Sequence, residues 1–473
     1  MIGQLTNGVL DTLDRASSAV SGSLGAAFEP PALRLGVTGL SQAGKTVFIT
    51  ALVANMLDRG RMGRMQAVAQ DRIEAAFLQP QPDDTLPRFD YERHLAALTG
   101  PDPYWPEGTR HISQLRLSFR VRAGGMFGAF RSARIQHVDI IDYPGEWLLD
   151  LVLLNKSYDQ WAEQGLSRMA TRPIAAEFLA EIAALPPDAP HDEPRAQALT
   201  ASFTRYLHAA RAAQLADITP GRFLLPGDMA GSPVLTFVPL PAGPMGRGSL
   251  RTEMARRYDA YKGRVVKPFF RDHFARIDRQ VVLTDVLGAI HAGPQAVDRL
   301  ADTMTELLAA FRPGRNGWLT RLLGGRRVER ILFAATKADH LHHSQHDRLT
   351  LIMGALLRQA RDRAAFAGAR TEAMAIAALR TTIEEQHTRA GRTLDCVRGR
   401  LMETGKQAAL YAGELPSDPG LLVGPARDGA ATWLSQEYQI MRFAPAPLTR
   451  ASGDGLPHIR LDRAAEFLFG DLL

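Results

Sequence analysis

Gly39-Leu40-Ser41-Gln42-Ala43-Gly44-Lys45-Thr46 fits G-x-x-x-x-G-K-[ST], and the rest of the chain is read outward from it. Glycines at those positions let the backbone curl, so that successive N–H groups point inward at a polyphosphate. The helix that follows adds the positive end of its dipole. Lys45 then reaches the β/γ-phosphates and the Thr46 hydroxyl ligates Mg²⁺. The context this chemistry needs is present. Leu33–Thr38 reads as a short apolar strand, and Lys45–Leu57 as a helix with Val47, Ile49, Leu52 and Val53 on one face. Gly39, Ser41, Gln42, Ala43, Gly44, Lys45, Thr46 and Val47 are therefore the candidate phosphate contacts.

Downstream, Ile112–Val121 alternates as a strand, Gly124-Gly125 breaks it, and Ile135–Ile141 forms a second apolar strand. A link that short makes the pair antiparallel. The second strand runs into Asp142-Tyr143-Pro144-Gly145-Glu146. A carboxylate at that strand end can hold Mg²⁺ through water. Gly145 can approach the γ-phosphate with its bare N–H, which makes the following loop sensitive to hydrolysis. Further on, the strand Arg330–Ala335 ends in Thr336-Lys337-Ala338-Asp339. Asp339 can accept from the N1–H and exocyclic amine of guanine, whereas adenine has no matching donor pair. The Lys337 stem can cover the face of the base, His340 neighbours it, and backbone N–H groups of Ala377-Ala378-Leu379 are expected to meet the base oxygen. Thr336 stands where asparagine is commoner.

Composition bounds the alternatives. A chain of 473 residues, 45% hydrophobic and 22% charged, is a folded protein of more than one domain, not a disordered one. A single cysteine, Cys396, excludes an intramolecular disulfide framework and any multi-cysteine metal site. It reads as a small hydrophobe. The 56 Lys+Arg against 50 Asp+Glu leave a net +6, too mild to argue for specific nucleic-acid binding. No apolar run approaches the roughly 20 residues of a spanning helix. The N-terminus lacks the pattern of a secretory signal, so a cytoplasmic location is expected.

The expected fold is α/β, a doubly wound, mostly parallel sheet with one antiparallel strand pair and a large helical insertion. Residues 1–31 read as an N-terminal helix and tether, suited to a membrane surface, a partner or its own domain. Residues 32–149 and 278–404 form two halves of the sheet domain, 150–277 the mainly helical insertion, and 405–473 a C-terminal extension packed on the core. Within these, Gln66–Leu78 reads as helical, Ala373–Leu379 as the last sheet strand, Tyr438–Phe443 as a strand of the tail and Arg463–Leu472 as a closing helix.

In this order, the phosphate loop, strand pair, DYPG and TKAD resemble the small GTPase-like class of P-loop proteins. The wider layout resembles the YcjX-like family of bacterial P-loop NTPases. Gly36–Thr46, Trp105-Pro106-Glu107-Gly108-Thr109-Arg110, Asp142–Asp150 (DYPGEWLLD), Val281–Pro294 and Leu456–Leu473 carry that likeness, which covers nearly the whole chain. The resemblance implies a GTP/GDP-binding protein requiring Mg²⁺. Such members are associated with stress-induced genes and a neighbouring inner-membrane protein, so it also implies a membrane-surface partner and a peripheral inner-membrane position. In this class a threonine before the second strand completes the Mg²⁺ shell: Thr109 is the candidate, with Ser113 second. The metal set is then Thr46, Thr109 and Asp142.

Glu146 stands where many members use glutamine to orient the attacking water. A carboxylate there adds charge beside a polyanion, so slow turnover is expected. Arg110 is either an arginine finger in cis or a solvated side chain. Trp105 either packs near the nucleotide or is buried on its own domain, and Gln42 either leans on the phosphates or is inert. Catalytic candidates are thus Lys45, Thr109, Arg110, Gly145 and Glu146. His340, His342, His343 and His346 form a cluster after Asp339, and the basic stretch from Arg312 to Arg327 reads as a solvated loop or a contact for anionic lipid. The leading expectation is a GTP-binding switch with slow hydrolysis. The alternatives are a chaperone-like or remodelling ATPase, and a nucleotide-bound structural module that no longer hydrolyses.

Overall fold

The computed structural model describes residues 32–39, 43–108, 111–122, 133–213, 215, 218–311, 328–364, 369–389, 391–427, 438–448 and 453–473. The N-terminal tether and the basic 312–327 stretch lie outside them.

Continuous apolar strands need cover on both faces, and those of this chain have it. Strands β1 (Leu33–Gly39), β2 (Ile73–Gln79), β3 (Ser113–Val121), β4 (Arg134–Asp142), β5 (Arg279–Thr284), β6 (Arg330–Ala335) and β7 (Arg370–Ala375) form one sheet in the order β2-β3-β4-β1-β5-β6-β7. Along β5 and β6, Val281, Leu283, Leu332 and Ala334 enter one core, while Val282, Ile331 and Phe333 enter the other. The first core holds the helix Lys45–Leu57 and, from the far end of the chain, the helix Leu461–Phe469. The second holds the helices Val286–His291, Pro294–Phe311 and His346–Ala364. Helices on both faces of a mostly parallel sheet make the α/β, doubly wound layout expected from the sequence.

β4, β1, β5, β6 and β7 are parallel, and β3 returns antiparallel to β4 as expected. β2 is a correction. Where a helix over Gln66–Leu78 was expected, the helix covers only Gln66–Ala69, Asp71 turns the chain at φ 49, and Ile73–Gln79 pairs antiparallel with β3. Pairing with β3 overrides the weak helical pattern of a half-buried edge. A second sheet, β8 (Ile383–Arg389), β9 (Arg392–Arg400) and β10 (Gln407–Leu410), follows β7 and was not expected. Tyr438–Phe443, expected as a strand, forms none: its one ladder contact is the isolated bridge of Phe443 to Leu401.

Between β4 and β5 the chain forms helices and 3₁₀ turns, with no strand among the described residues. This part folds on aromatic packing. Trp161 stacks on Tyr258 at 5.0 Å and meets Phe237 edge-on at 5.5 Å. The Tyr158 hydroxyl donates to the Val238 carbonyl at 2.8 Å and accepts from the Leu240 N–H at 3.1 Å. The C-terminal residues are tied in too. Asn55, buried in the first helix, accepts from the Leu456 N–H at 3.0 Å, and Arg330 donates to the Phe467 carbonyl at 2.7 Å. Among the described residues no helix is long and apolar enough to cross a membrane.

Phe237 is fully buried against Trp161, Phe223, Tyr258 and Tyr261. Phe237→Ala is expected to cost about 3–5 kcal/mol, read as an earlier denaturant midpoint followed by tryptophan fluorescence.

Candidate functional site

Parallel strands present their carboxyl ends at one edge, and sequence-distant groups meet where neighbours of β1 diverge to either side. β1 lies between β4 and β5, with Val37 beside Asp142 and Gly39 beside Leu283. The phosphate-loop pattern begins at that end. Leu40, Ser41 and Gln42 lie outside the described residues. Beyond them Ala43 is buried and Gly44 is exposed at φ 78, a left-handed conformation glycine adopts without strain. The turn delivers Lys45 to the first position of its helix. Thr46 is buried, and Val47 is half-buried against the first core.

Lys45 Nζ forms an ion pair with Asp142 Oδ1 at the end of β4, both groups largely sealed from solvent. Ser113, at the start of β3, is in register opposite Asp142. A cavity of about 390 Å³ opens beside Asp142, lined by Arg93, His94, Glu107, Gly108, His111 and Ser113. Thr109 and Arg110, which follow Gly108, lie outside the described residues. A threonine hydroxyl and a carboxylate are hard oxygen donors suited to Mg²⁺, so Thr46 and Asp142 fit the expected cation.

Gly145 starts the helix Gly145–Leu149 in tight contact with β1. A Cβ there would lie 1.8 Å from the Gly39 carbonyl oxygen, so no other residue fits without moving one loop off the other. Glu146 is next in the helix; its side chain lies outside the described residues. Tyr143 is buried and donates to Gln280 at 2.6 Å. Trp147 packs edge-on against Phe269, and the Arg222 guanidinium lies 3.2 Å over its indole ring. Asp150 then reaches into the helical segment, accepting from the Gly221 N–H at 2.7 Å, the Arg222 N–H at 3.3 Å and the Tyr261 hydroxyl at 2.6 Å. Burial pushes the Asp150 carboxyl up to about 6 against those three donors.

The base-side loop is built from β6 and the chain after β7. Thr336 donates its N–H to the Thr284 carbonyl at 2.9 Å and its hydroxyl to the same oxygen at 3.3 Å, anchoring the loop to β5. Lys337 adopts a left-handed conformation at φ 62, and its ammonium pairs with Asp285. Asp339 is buried, with Oδ2 accepting from the Thr381 N–H at 3.0 Å and the Thr381 hydroxyl at 2.8 Å. Thr382 donates its hydroxyl to the Asp339 carbonyl. The Ala377 N–H, expected to face the base oxygen, is engaged within the fold. It donates to the Ile459 carbonyl at 3.1 Å, so it is spent on the C-terminal segment, and Ala378 packs against the first core. Residues 381–382 are the ones that meet Asp339.

His340 sits edge-on to Phe443 with ring centroids 5.2 Å apart, and burial holds its imidazole below the usual value. Trp105 donates Nε1–H to the Phe443 carbonyl at 2.8 Å, which ties the loop before Thr109 to the same C-terminal segment. Cys396 is buried in β9, and desolvation pushes its thiol up, in line with a small apolar role.

Comparison with known proteins gives the chain a family. The profile of the YcjX-like family, DUF463, matches residues 33–473. The chain is 36% identical to a protein of Escherichia coli strain K12 named Ras-like GTPase YcjX, over 93% of this chain and 96% of that protein. It is 34% identical to the protein of the same name from Shewanella oneidensis, over 93% and 94% respectively.

Asp150 gives a pH-dependent signature. Its folded-state value lies above the ordinary carboxyl value of roughly 4, so the folded state keeps the proton to higher pH than the unfolded chain. Its contribution is fully present below about pH 4 and declines as pH rises through about 6, by on the order of 3 kcal/mol. Wild type is therefore expected to gain stability relative to Asp150→Asn as pH falls from 7 to 4. Paired denaturant titrations across that range check it, and a pH-independent difference contradicts it.

Proposed function

The chain belongs to the YcjX-like family, and from that premise we propose that it binds GTP and GDP with Mg²⁺, hydrolyses GTP slowly and works as a nucleotide-state switch. The observation that carries this reading is that Lys45 and Asp142 pair at the carboxyl ends of β1 and β4, while the loop bearing Asp339 follows β6 at the same edge of the parallel sheet. In this reading Lys45 turns from Asp142 to the β/γ-phosphates, and Asp142 and Thr46 face the cation that neutralises them. Thr109, following the residues that line the cavity beside Asp142, is the candidate to complete the metal shell.

Guanine selectivity rests on Asp339. The two Thr381 donors both fall on Oδ2, holding the carboxylate in one orientation with acceptor capacity left for the paired donors of the base. Thr381 is in this reading a positioning residue. Glu146 supplies a carboxylate where a neutral amide would better tolerate a polyanion, which is the basis for slow turnover. The helical segment would sense nucleotide state through Gly145 and Asp150. Gly145 touches the phosphate loop, and Asp150, five residues on, grips Gly221, Arg222 and Tyr261.

The test is direct binding of fluorescent GDP and ADP to the purified protein with Mg²⁺. GDP is expected to bind tightly and ADP weakly, with Asp339→Ala lowering GDP affinity by roughly 10²-fold or more and leaving ADP unchanged. Equal binding of the two nucleotides by wild type would overturn guanine selectivity. Single-turnover GTP hydrolysis is expected to be slow but measurable, and its absence would reduce the protein to a nucleotide-bound module.

A further inference from the structure

The histidines after Asp339 are partly absorbed by the site: His340 packs on Phe443, and His346 bonds the Leu341 carbonyl at 3.1 Å. His342 and His343 are not. Their rings lie 4.2 Å apart, and both face one carboxylate oxygen, Glu384 Oε2 in β8. His343 Nδ1 is 2.6 Å from that oxygen and His342 Nε2 is 3.7 Å from it. One ligand atom from each of the three lies within 4.8 Å of the others.

The groups behind these three are arranged as an outer shell. His342 Nδ1 accepts from the Ser344 N–H at 3.4 Å and lies 2.9 Å from the Ser344 hydroxyl and 3.5 Å from Asp395 Oδ2. With Nδ1 accepting, the proton of the neutral ring lies on Nε2, toward Glu384; when a metal takes Nε2 the proton moves to Nδ1, where Asp395 can receive it. Arg380 holds the opposite oxygen of Glu384, Oε1, at 3.1 Å. A cation between His342 Nε2 and Glu384 Oε2 takes the place of that proton. Two imidazoles and one carboxylate are a donor set for a borderline ion such as Zn²⁺, with a fourth position left for water, and not for Mg²⁺.

We propose that His342, His343 and Glu384 bind a zinc-class divalent cation that staples the base-side loop to β8. The two histidines follow Asp339 by three and four residues, and Glu384 follows Thr381 by three. The staple would thus close both arms of the turn in which Thr381 holds Asp339. A cation that stiffens this turn raises affinity for guanine nucleotide, and nucleotide raises affinity for the cation by the same factor. This coupling rests on the guanine reading above; the cation site does not.

The test uses full-length protein without a histidine tag, stripped with chelator. Co²⁺ is titrated by visible absorption and Zn²⁺ by calorimetry. One equivalent is expected to saturate, without competition from Mg²⁺. His343→Ala, at a side chain 68% exposed, and Glu384→Gln are each expected to weaken Zn²⁺ at least tenfold with circular dichroism unchanged. Zn²⁺ binding as tight in both variants as in wild type, or no saturable binding, would overturn the site. A parallel GDP titration with one equivalent of Zn²⁺ is expected to show several-fold tighter binding in wild type and no change in Glu384→Gln. Bound Zn²⁺ with unaltered GDP affinity would overturn the staple. Failure of GDP to bind at all would count against the guanine reading and leave the cation result standing.

Discussion

The pairing of Lys45 with Asp142 is the constraint on which the rest of the site depends. Two opposite charges sealed at the end of a sheet are tolerable because each offsets part of the other's lost hydration. They meet only if β1 and β4 are parallel neighbours in the observed register, with Val37 beside Asp142. That register in turn requires β3 to return antiparallel to β4, and the left-handed Gly44 to start the first helix where Lys45 can reach across. The pair is also chemically convertible. A polyphosphate with its cation offers the ammonium an anion and the carboxylate a cation, so both charges remain compensated in either arrangement.

From that edge two rigid connections lead outward. The first runs through Gly145, with no room for a Cβ against Gly39, to Asp150 and its three donors in the helical segment. A shift of the loop by an ångström cannot be absorbed at Gly145, and Asp150 carries it into a segment packed ring on ring. The second runs through Thr336, Asp339 and Thr381 to the second sheet and the C-terminal segment, which meets the same region through Phe443. Tight packing at both connections favours discrete rearrangement over gradual deformation.

The core strands were legible because each is a short apolar run ending in a residue of distinctive chemistry. Arg330–Ala335 before Thr336 and Ile135–Ile141 before Asp142 are such cases. β2 was not, because Ile73–Gln79 alternates weakly and is strand only through its pairing with β3. β8 and β9 escaped because charged residues fall on both faces: Glu384, Glu385, Arg398 and Arg400 break any apolar period. Lys45, Asp142 and Asp339 were legible as candidates from motif spacing. Thr381 was not, since a Thr-Thr step after a strand has no signature of its own, and the Ala377 N–H was assigned to the base because nothing in the sequence shows that Ile459 takes it.

The sequence by itself determined the family, the α/β class and the residue types at the ends of β1, β4 and β6, because local spacing encodes which backbone turns and side-chain chemistry can occur together. Only the tertiary structure decided which side chains meet: Asp150 with Tyr261, Asp339 with Thr381, Lys337 with Asp285 and His343 with Glu384. These contacts join segments 41 to 111 residues apart along the chain. Their formation depends on strand order and on the path of the intervening chain, which the folded whole selects and no local pattern specifies.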